Sequence, residues 1–287
     1  FNVIKTKNFE LVMQQLDTTL ALLEAFGSDS ELQEKISSAS KKLKDGLLSS
    51  IHQLHPEHVY KIPEEKMIAC AEFLSLFIKS KGHIFSTNYD MLLYWVLMRQ
   101  HIENATDGFG REIENMDEFL RGETPEYSHL VWGPNVENQN IHYLHGALHI
   151  FDSGINIEKE QYDQSNFLLE KIKKRLDRGS YPIFVTAGNG DDKLSHIRHN
   201  RYLSYCFDQL SSLDGSLITF GFNFGEYDEH IIEAINKATH AQNKTPPKLW
   251  SIYIGVYSEK DAEHIRSIQS KFHAKVKIFD AKTVKAW

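Results

Sequence analysis

The sequence predicts an α/β fold: a mostly parallel sheet with helices on both faces, preceded by a helical segment. Three observations carry the prediction. Residues 9–80 repeat apolar side chains at three-to-four spacing, the period of a helix face. From Gly82 onward, short apolar runs alternate with helical stripes, the pattern of strands joined by crossover helices. The composition, 41% hydrophobic and 25% charged over 287 residues, is that of a globular chain long enough to bury a proper core.

The elements follow in order. Phe9, Val12, Met13, Leu16, Leu20, Leu23 and Phe26 form one stripe, broken at Gly27-Ser28. Leu32, Ile36, Leu43, Leu47, Ile51 and Leu54 form a second, with Lys and Ser opposite. Pro63-Glu64-Glu65 opens a third helix running to about Ser80, since proline suits a first turn and acids suit the positive end of the helix dipole. Strands are predicted at His83–Ser86, Ile141–Leu144, Pro182–Thr186, Ser216–Phe220, Leu249–Gly255 and Val276–Phe279. Helices are predicted at Met91–Ile102, Phe167–Asp177, Asn200–Leu213, Tyr227–His240 and Lys260–Phe272. Residues 103–139 fit no period and are rich in Gly, Pro and acids, so they read as a functional loop or lid. The whole, 1–287, reads as one domain.

Composition also excludes function classes. Net charge is −7, the wrong sign for a dedicated nucleic-acid binder. No apolar run approaches the roughly 20 residues of a membrane span. Two cysteines, Cys70 and Cys206, make neither a four-thiolate zinc site nor a disulfide framework, which suits a reducing, cytoplasmic setting. The chain opens on Phe1 with no secretory leader, so a fragment, a processed form, or the ordered part of a longer chain is expected.

Parallel sheets bind ligands at the carboxyl ends of their strands, and three predicted strands end in polar residues. Ile84-Phe85-Ser86 runs into Thr87-Asn88-Tyr89-Asp90; one helix cap needs one residue, and here four polar residues stand in line. Ile141-His142-Tyr143-Leu144 runs into His145-Gly146, where glycine admits a close neighbour beside the imidazole. Ser216–Phe220 runs into Gly221-Phe222-Asn223, followed by Asp228 and His230 at an acidic helix start. Each has a plainer reading as a structural histidine, a turn or an N-cap. A metal reading from His142, His145 and His149 is disfavoured, because alternation sets His142 and His145 on opposite faces. Gly188-Asn189-Gly190 reads as a turn, since Asp191-Asp192 would repel a phosphate. The basic run His196–Tyr202 reads as a solvated helix end or an anion contact.

Taken in order, strand-T-N-Y-D-helix, Y-x-H-G and strand-G-x-N-x-x-x-x-D-x-H-I resemble the sirtuin-like superfamily of NAD-consuming enzymes. More closely, Asn88–Trp95, Tyr143–His149 and Asp228–Ile231 are similar to runs in a bacterial family of unknown function within or beside it. The resemblance covers about Phe9 to His240 and implies a Rossmann-like sheet and cleavage of the nicotinamide–ribose bond. By position it makes His145 the general base, Asn88 the group that places the ribose or attacking water, and Asp90 the holder of nicotinamide or of Asn88. Thr87, Tyr89, Gly146, Gly221, Asn223, Asp228 and His230 become cofactor contacts, with NAD as substrate and no metal.

Two departures qualify what is implied. The four-cysteine zinc module of sirtuin deacylases is missing, which favours NAD hydrolysis over deacylation. No glycine-rich phosphate loop precedes Asn88. The resemblance further implies a role in anti-phage defence, with a homo-oligomer or a sensor protein as partner. The alternatives are a non-catalytic module sensing NAD or ADP-ribose, and a metal-dependent hydrolase.

Overall fold

The computed structural model describes residues 9–27, 30–54, 56, 58–162, 167–185, 189–240 and 248–287. The chain is mixed α/β, with parallel and antiparallel sheets and, among the described residues, no closed barrel. It divides into two compact units, residues 1–186 and 187–287.

The first unit opens with three helices, α1 (Phe9–Ala25), α2 (Ser30–Leu54) and α3 (Glu64–Lys79), where the stripes predict them. The α1 stripe is buried at Val12 and Met13, while Phe26, at 83% exposure, lies beyond the packed part. The side chains of Phe9, Leu47, Ile51 and Leu54 lie outside the described residues. Tyr181 and Ser40 both donate to the carboxylate of Asp17, which ties α1 to α2 and to the start of a later strand. Then follow β1 (Ile84–Ser86) and α4 (Leu92–Arg99).

Residues 103–139 are not one irregular lid. They contribute β2 (Phe109–Gly110) and β3 (Leu130–Trp132), which pair antiparallel, with a short α5 (Met116–Phe119) between them. The exposed excursion between the strands is held by its own polar groups. Asn115 donates to Thr124 O and accepts from Glu126 N, and Glu112 N donates to Ser128 Oγ. Two- and three-residue strands are too short to show a period, which is why the sequence reads as irregular there.

After β4 (Ile141–Tyr143) come β5 (Gly146–Asp152), β6 (Ile157–Lys159), α6 (Leu168–Asp177) and β7 (Pro182–Phe184). β1 and β4 form a two-stranded parallel sheet; the other five form an antiparallel sheet in the order β2-β3-β6-β5-β7. The expected mostly parallel sheet is therefore corrected in this unit. β5 is buried along six of its seven residues and carries no alternation, so it does not read as a hairpin partner. The core joins Met13, Met67, Met91, Trp95, Phe151, Ile172, Leu176 and Phe184. Thr186, the expected end of β7, lies outside the described residues.

The second unit opens with α7 (Gly190–His199) and from there alternates helix and strand as expected: α8 (Arg201–Ser211), β8 (Gly215–Thr219), α9 (Glu229–His240), β9 (Leu249–Val256), α10 (Glu259–Ile268) and β10 (Lys275–Asp280). Its three strands are all parallel, in the order β10-β9-β8. Ile252 and Ile254 of β9, Phe207 and Cys206 of α8, Ile235 of α9 and Ile265 of α10 are buried. The helix α7 replaces the turn expected at residues 188–190. Asn189 accepts from Asp192 N while the Asp192 carboxylate accepts from Asn189 N, a reciprocal cap that starts a helix from two acids. Gly188 lies outside the described residues. No described helix is long and apolar enough to cross a membrane.

Candidate functional site

In the first unit, the parallel register sets Ser86 opposite Tyr143, and Leu144 N donates to Ser86 O at 2.8 Å. The two chains leave the sheet side by side, one into Thr87-Asn88-Tyr89-Asp90 and the other into His145-Gly146. Asn88 N donates to Ser86 Oγ at 3.1 Å, which turns the chain outward. Thr87 is half-buried and Asn88 is exposed, and among the described residues nothing bonds the Asn88 side chain. His145 is only 3% exposed; its ring lies near-parallel to that of Tyr89, centroids 6.4 Å apart, and its carbonyl accepts from Val185 N at 2.9 Å.

Three of the expected contacts have structural engagements. Tyr89 donates its hydroxyl to Val185 O at 2.6 Å and packs edge-on against Phe184. Asp90 Oδ1 accepts from Leu92 N at 2.8 Å, an Asx-type turn one residue before Met91, the N-cap of α4. Gly146 has φ +79°, and a Cβ there would lie 1.9 Å from Ile183 O. The close neighbour that glycine admits at this position is thus the β7 backbone.

The three histidines of the metal reading part company. His142 Nδ1 accepts from Gln139 Nε2 at 3.3 Å and its Nε2 lies in hydrogen-bond contact with His83 Nδ1 at 2.9 Å, under the ring of Phe85. Burial first, and then His83, pushes its pKa down to about 3, so it is neutral at pH 7. His149 packs between Tyr94 and Tyr143, at 4.9 and 5.4 Å. Among the described residues, no group of three or more His, Cys, Asp or Glu is placed to hold a metal ion.

In the second unit, a cavity of about 510 Å³ opens at the carboxyl ends of β8, β9 and β10. Gly221 and Asn223, two of the expected cofactor contacts, line it and are exposed. Gly221 has φ +67° and open space where a Cβ would point, so glycine serves the turn here and not a close approach. Phe220, Tyr257, Lys282 and Trp287 also line the cavity, and the sequence reading missed the last three. Tyr257 immediately follows β9, so the strand-end rule reaches it; Lys282 and Trp287 follow β10 in a tail with no periodicity.

Asp228 and His230 do not line that cavity. Asp228 pairs with Lys193 at 2.9 Å and accepts from Gly225 N at 3.2 Å, which fixes the turn before α9. His230 is 1% exposed and parallel to Phe207; burial, then Lys193, lowers its pKa to about 4 against the opposing pull of Asp228. A smaller cavity of about 180 Å³ lies between the start of α7 and α9, lined by Asn189, Gly190, Asp191, Glu229, His230 and Glu233. Its three carboxylates disfavour a phosphate there, as the sequence predicts.

Fold and strand ends together define a mixed α/β chain with polar groups and a sizeable cavity at the carboxyl ends of parallel strands. The chain belongs to the family described as Domain of unknown function (DUF4917), whose model matches residues 1–287. No curated protein matches it.

Proposed function

We propose that this chain is an NAD glycohydrolase of Rossmann-like, sirtuin-like type, which cleaves the nicotinamide–ribose bond. The observation that carries the reading is the β1–β4 register, which brings the Asn88 and His145 segments off the same end of one parallel sheet. A bond to an oxocarbenium-like centre needs an attacking oxygen held in place and a base for its proton. The exposed Asn88 amide orients the water. The bond from ribose C1′ to the pyridinium nitrogen breaks, and its electron pair neutralises the ring. Water oxygen bonds to C1′, and its proton passes to an imidazole nitrogen of His145. Tyr89 and Asp90 act as positioning residues: the Tyr89 ring faces His145, and Asp90 anchors the loop that carries Asn88.

Nicotinamide release from NAD by the purified chain, measured beside His145→Ala and Asn88→Ala, tests this. Release abolished in both variants is expected; release unchanged in His145→Ala sinks the assignment of the base. One observation favours the second reading, a module that senses NAD or ADP-ribose without cleaving it: His145 is 97% withdrawn from solvent. On that reading, His145→Ala changes affinity and the wild-type chain releases no nicotinamide.

A further inference from the structure

Between β2 and β3 the chain of the first unit leaves its antiparallel sheet as an excursion, residues 111–128, which is held in shape by its own bonds. The two arms carry the β2–β3 pairing outward: Ser128 N donates to Glu112 O at 2.9 Å, Glu114 N donates to Glu126 O at 2.8 Å, and Ile113 bridges Tyr127 antiparallel. The tip is α5, followed by a turn in which Glu123 N donates to Glu118 O at 3.1 Å. Asn115 ties this tip to the returning arm through Thr124 O and Glu126 N. The bonds close within the excursion, so its surface is organised before any partner arrives.

That surface combines apolar side chains with charge of one sign. Met116, Phe119 and Leu120 stand at i, i+3 and i+4, one face of a helical turn. They are exposed, from 38% at Phe119 to 75% at Leu120, and Tyr127 on the returning arm is exposed as well. A single exposed leucine needs no explanation, but three large apolar side chains grouped on one ordered turn mark a contact surface. Around them stand six exposed carboxylates, those of Glu112, Glu114, Asp117, Glu118, Glu123 and Glu126. The two cations of the excursion are turned to backbone oxygens instead: Arg111 donates to Ser128 O, and Arg121 donates to Asp117 O at 3.1 Å. The ion pairs of the first unit lie elsewhere, at Lys35–Glu31, Arg99–Glu64, Lys159–Asp107 and Arg175 with Glu158 and Glu160; among the described residues none involves these six.

We infer that residues 111–128 are a docking surface for a basic amphipathic helix of a partner protein. The apolar face of that helix seats on Met116, Phe119 and Leu120, and its Lys and Arg side chains meet the carboxylates around them. Uncompensated negative charge repels nucleic acid and anionic membrane surfaces and attracts a cationic one, which fixes the sign of the partner. The i, i+3, i+4 spacing fixes its form, because side chains in that arrangement make a ridge that enters the groove between rows of another helix.

The experiment uses the whole chain and follows fluorescence anisotropy of a labelled helical peptide, about five turns long, with Leu on one face and Lys on the other. A second peptide carries Glu in place of every Lys. The Lys peptide should bind, and the Glu peptide should bind at least about ten-fold more weakly. Leu120→Ser and Phe119→Ser should each weaken the Lys peptide about five- to ten-fold. The double variant Asp117→Asn with Glu118→Gln should weaken it about three-fold at low salt and flatten its loss of affinity as salt rises. All four side chains are exposed, so the fold should survive these changes, which an unchanged melting temperature checks. Leu76→Ser removes an exposed leucine of α3, outside the excursion, and should leave binding as it was.

No binding of the Lys peptide at millimolar concentration, equal binding of the two peptides, or an equal loss in Leu76→Ser would each overturn the inference. So would a wild-type chain that sediments as an oligomer and falls to a monomer in Leu120→Ser, since the surface would then belong to a second copy of the chain. None of these measurements involves nicotinamide, so the docking surface and the proposed activity stand or fall separately.

Discussion

Replacing Tyr89 by Phe removes one oxygen and tests how the end of β1 is held in the first unit. The hydroxyl donates to Val185 O at 2.6 Å, Val185 N donates to His145 O at 2.9 Å, and Leu148 N donates to Tyr89 O at 2.8 Å. The three bonds brace the end of β1 against the start of β5 and the end of β7. The phenyl ring stays, so its packing on Phe184 and its face toward His145 are kept. What is lost is one hydrogen bond, a net contribution of about 1 kcal/mol, rising to about 3 kcal/mol if the accepting carbonyl is left bare. Val185 is 1% exposed, so bulk water does not readily replace the donor, and the upper part of that range applies. Urea unfolding should show a lower midpoint at unchanged slope, equivalent to about 1–3 kcal/mol. A loss below about 0.5 kcal/mol would refute the brace. Nicotinamide release in Tyr89→Phe should survive, because the reading gives the ring, not the hydroxyl, the task of facing His145.

Three further predictions follow from the same geometry. Asp90→Ala removes the acceptor for Leu92 N and should cost about 0.5–1.5 kcal/mol, whereas Asp90→Asn keeps an accepting oxygen and should be near neutral in urea unfolding; a larger cost in Asn than in Ala would sink the role of that turn bond. Gly146→Ala puts a Cβ at φ +79° and 1.9 Å from Ile183 O, so it should destabilise by more than the roughly 1–3 kcal/mol of backbone strain alone, and a soluble variant with wild-type melting would contradict the register there. His142, with its pKa lowered to about 3 by burial, binds fewer protons folded than unfolded, so its contribution is full above about pH 6.5 and is lost as pH falls toward 3. Each such histidine gives a slope of up to about 1.4 kcal/mol per pH unit in that window, and urea midpoints measured from pH 7 to 4 should fall less steeply in His142→Gln.

Much of the architecture was legible in the sequence, for a definite reason. The three N-terminal helices, and the helices and strands of the second unit from α8 onward, have period-3.6 or strand-length apolar patterns bounded by Gly, Pro or capping residues. Those are local properties, and local chemistry decided them. The short strands β2, β3 and β6 were not legible, because two or three residues carry no period. Nor was α7, whose start looks like an acidic turn until Asn189 and Asp192 cap each other.

The site divides along the same line. Residue order alone marked Thr87 to Asp90, His145 and Gly221 to Asn223 as polar groups at strand ends, because a strand that stops in polar residues leaves them at one edge of a sheet. Which of them are committed elsewhere was a tertiary matter. Tyr89 bonds to a carbonyl 96 residues away, Asp228 pairs with a lysine 35 residues earlier, and Gly146 makes room for the β7 backbone. Tyr257, Lys282 and Trp287 meet at one cavity only because β9 and β10 are parallel and end together. The sequence by itself determined the elements and the polar character of their ends, since both arise from neighbours along the chain. Register, burial and ion pairing arise from groups far apart in sequence, and only the folded chain decided them.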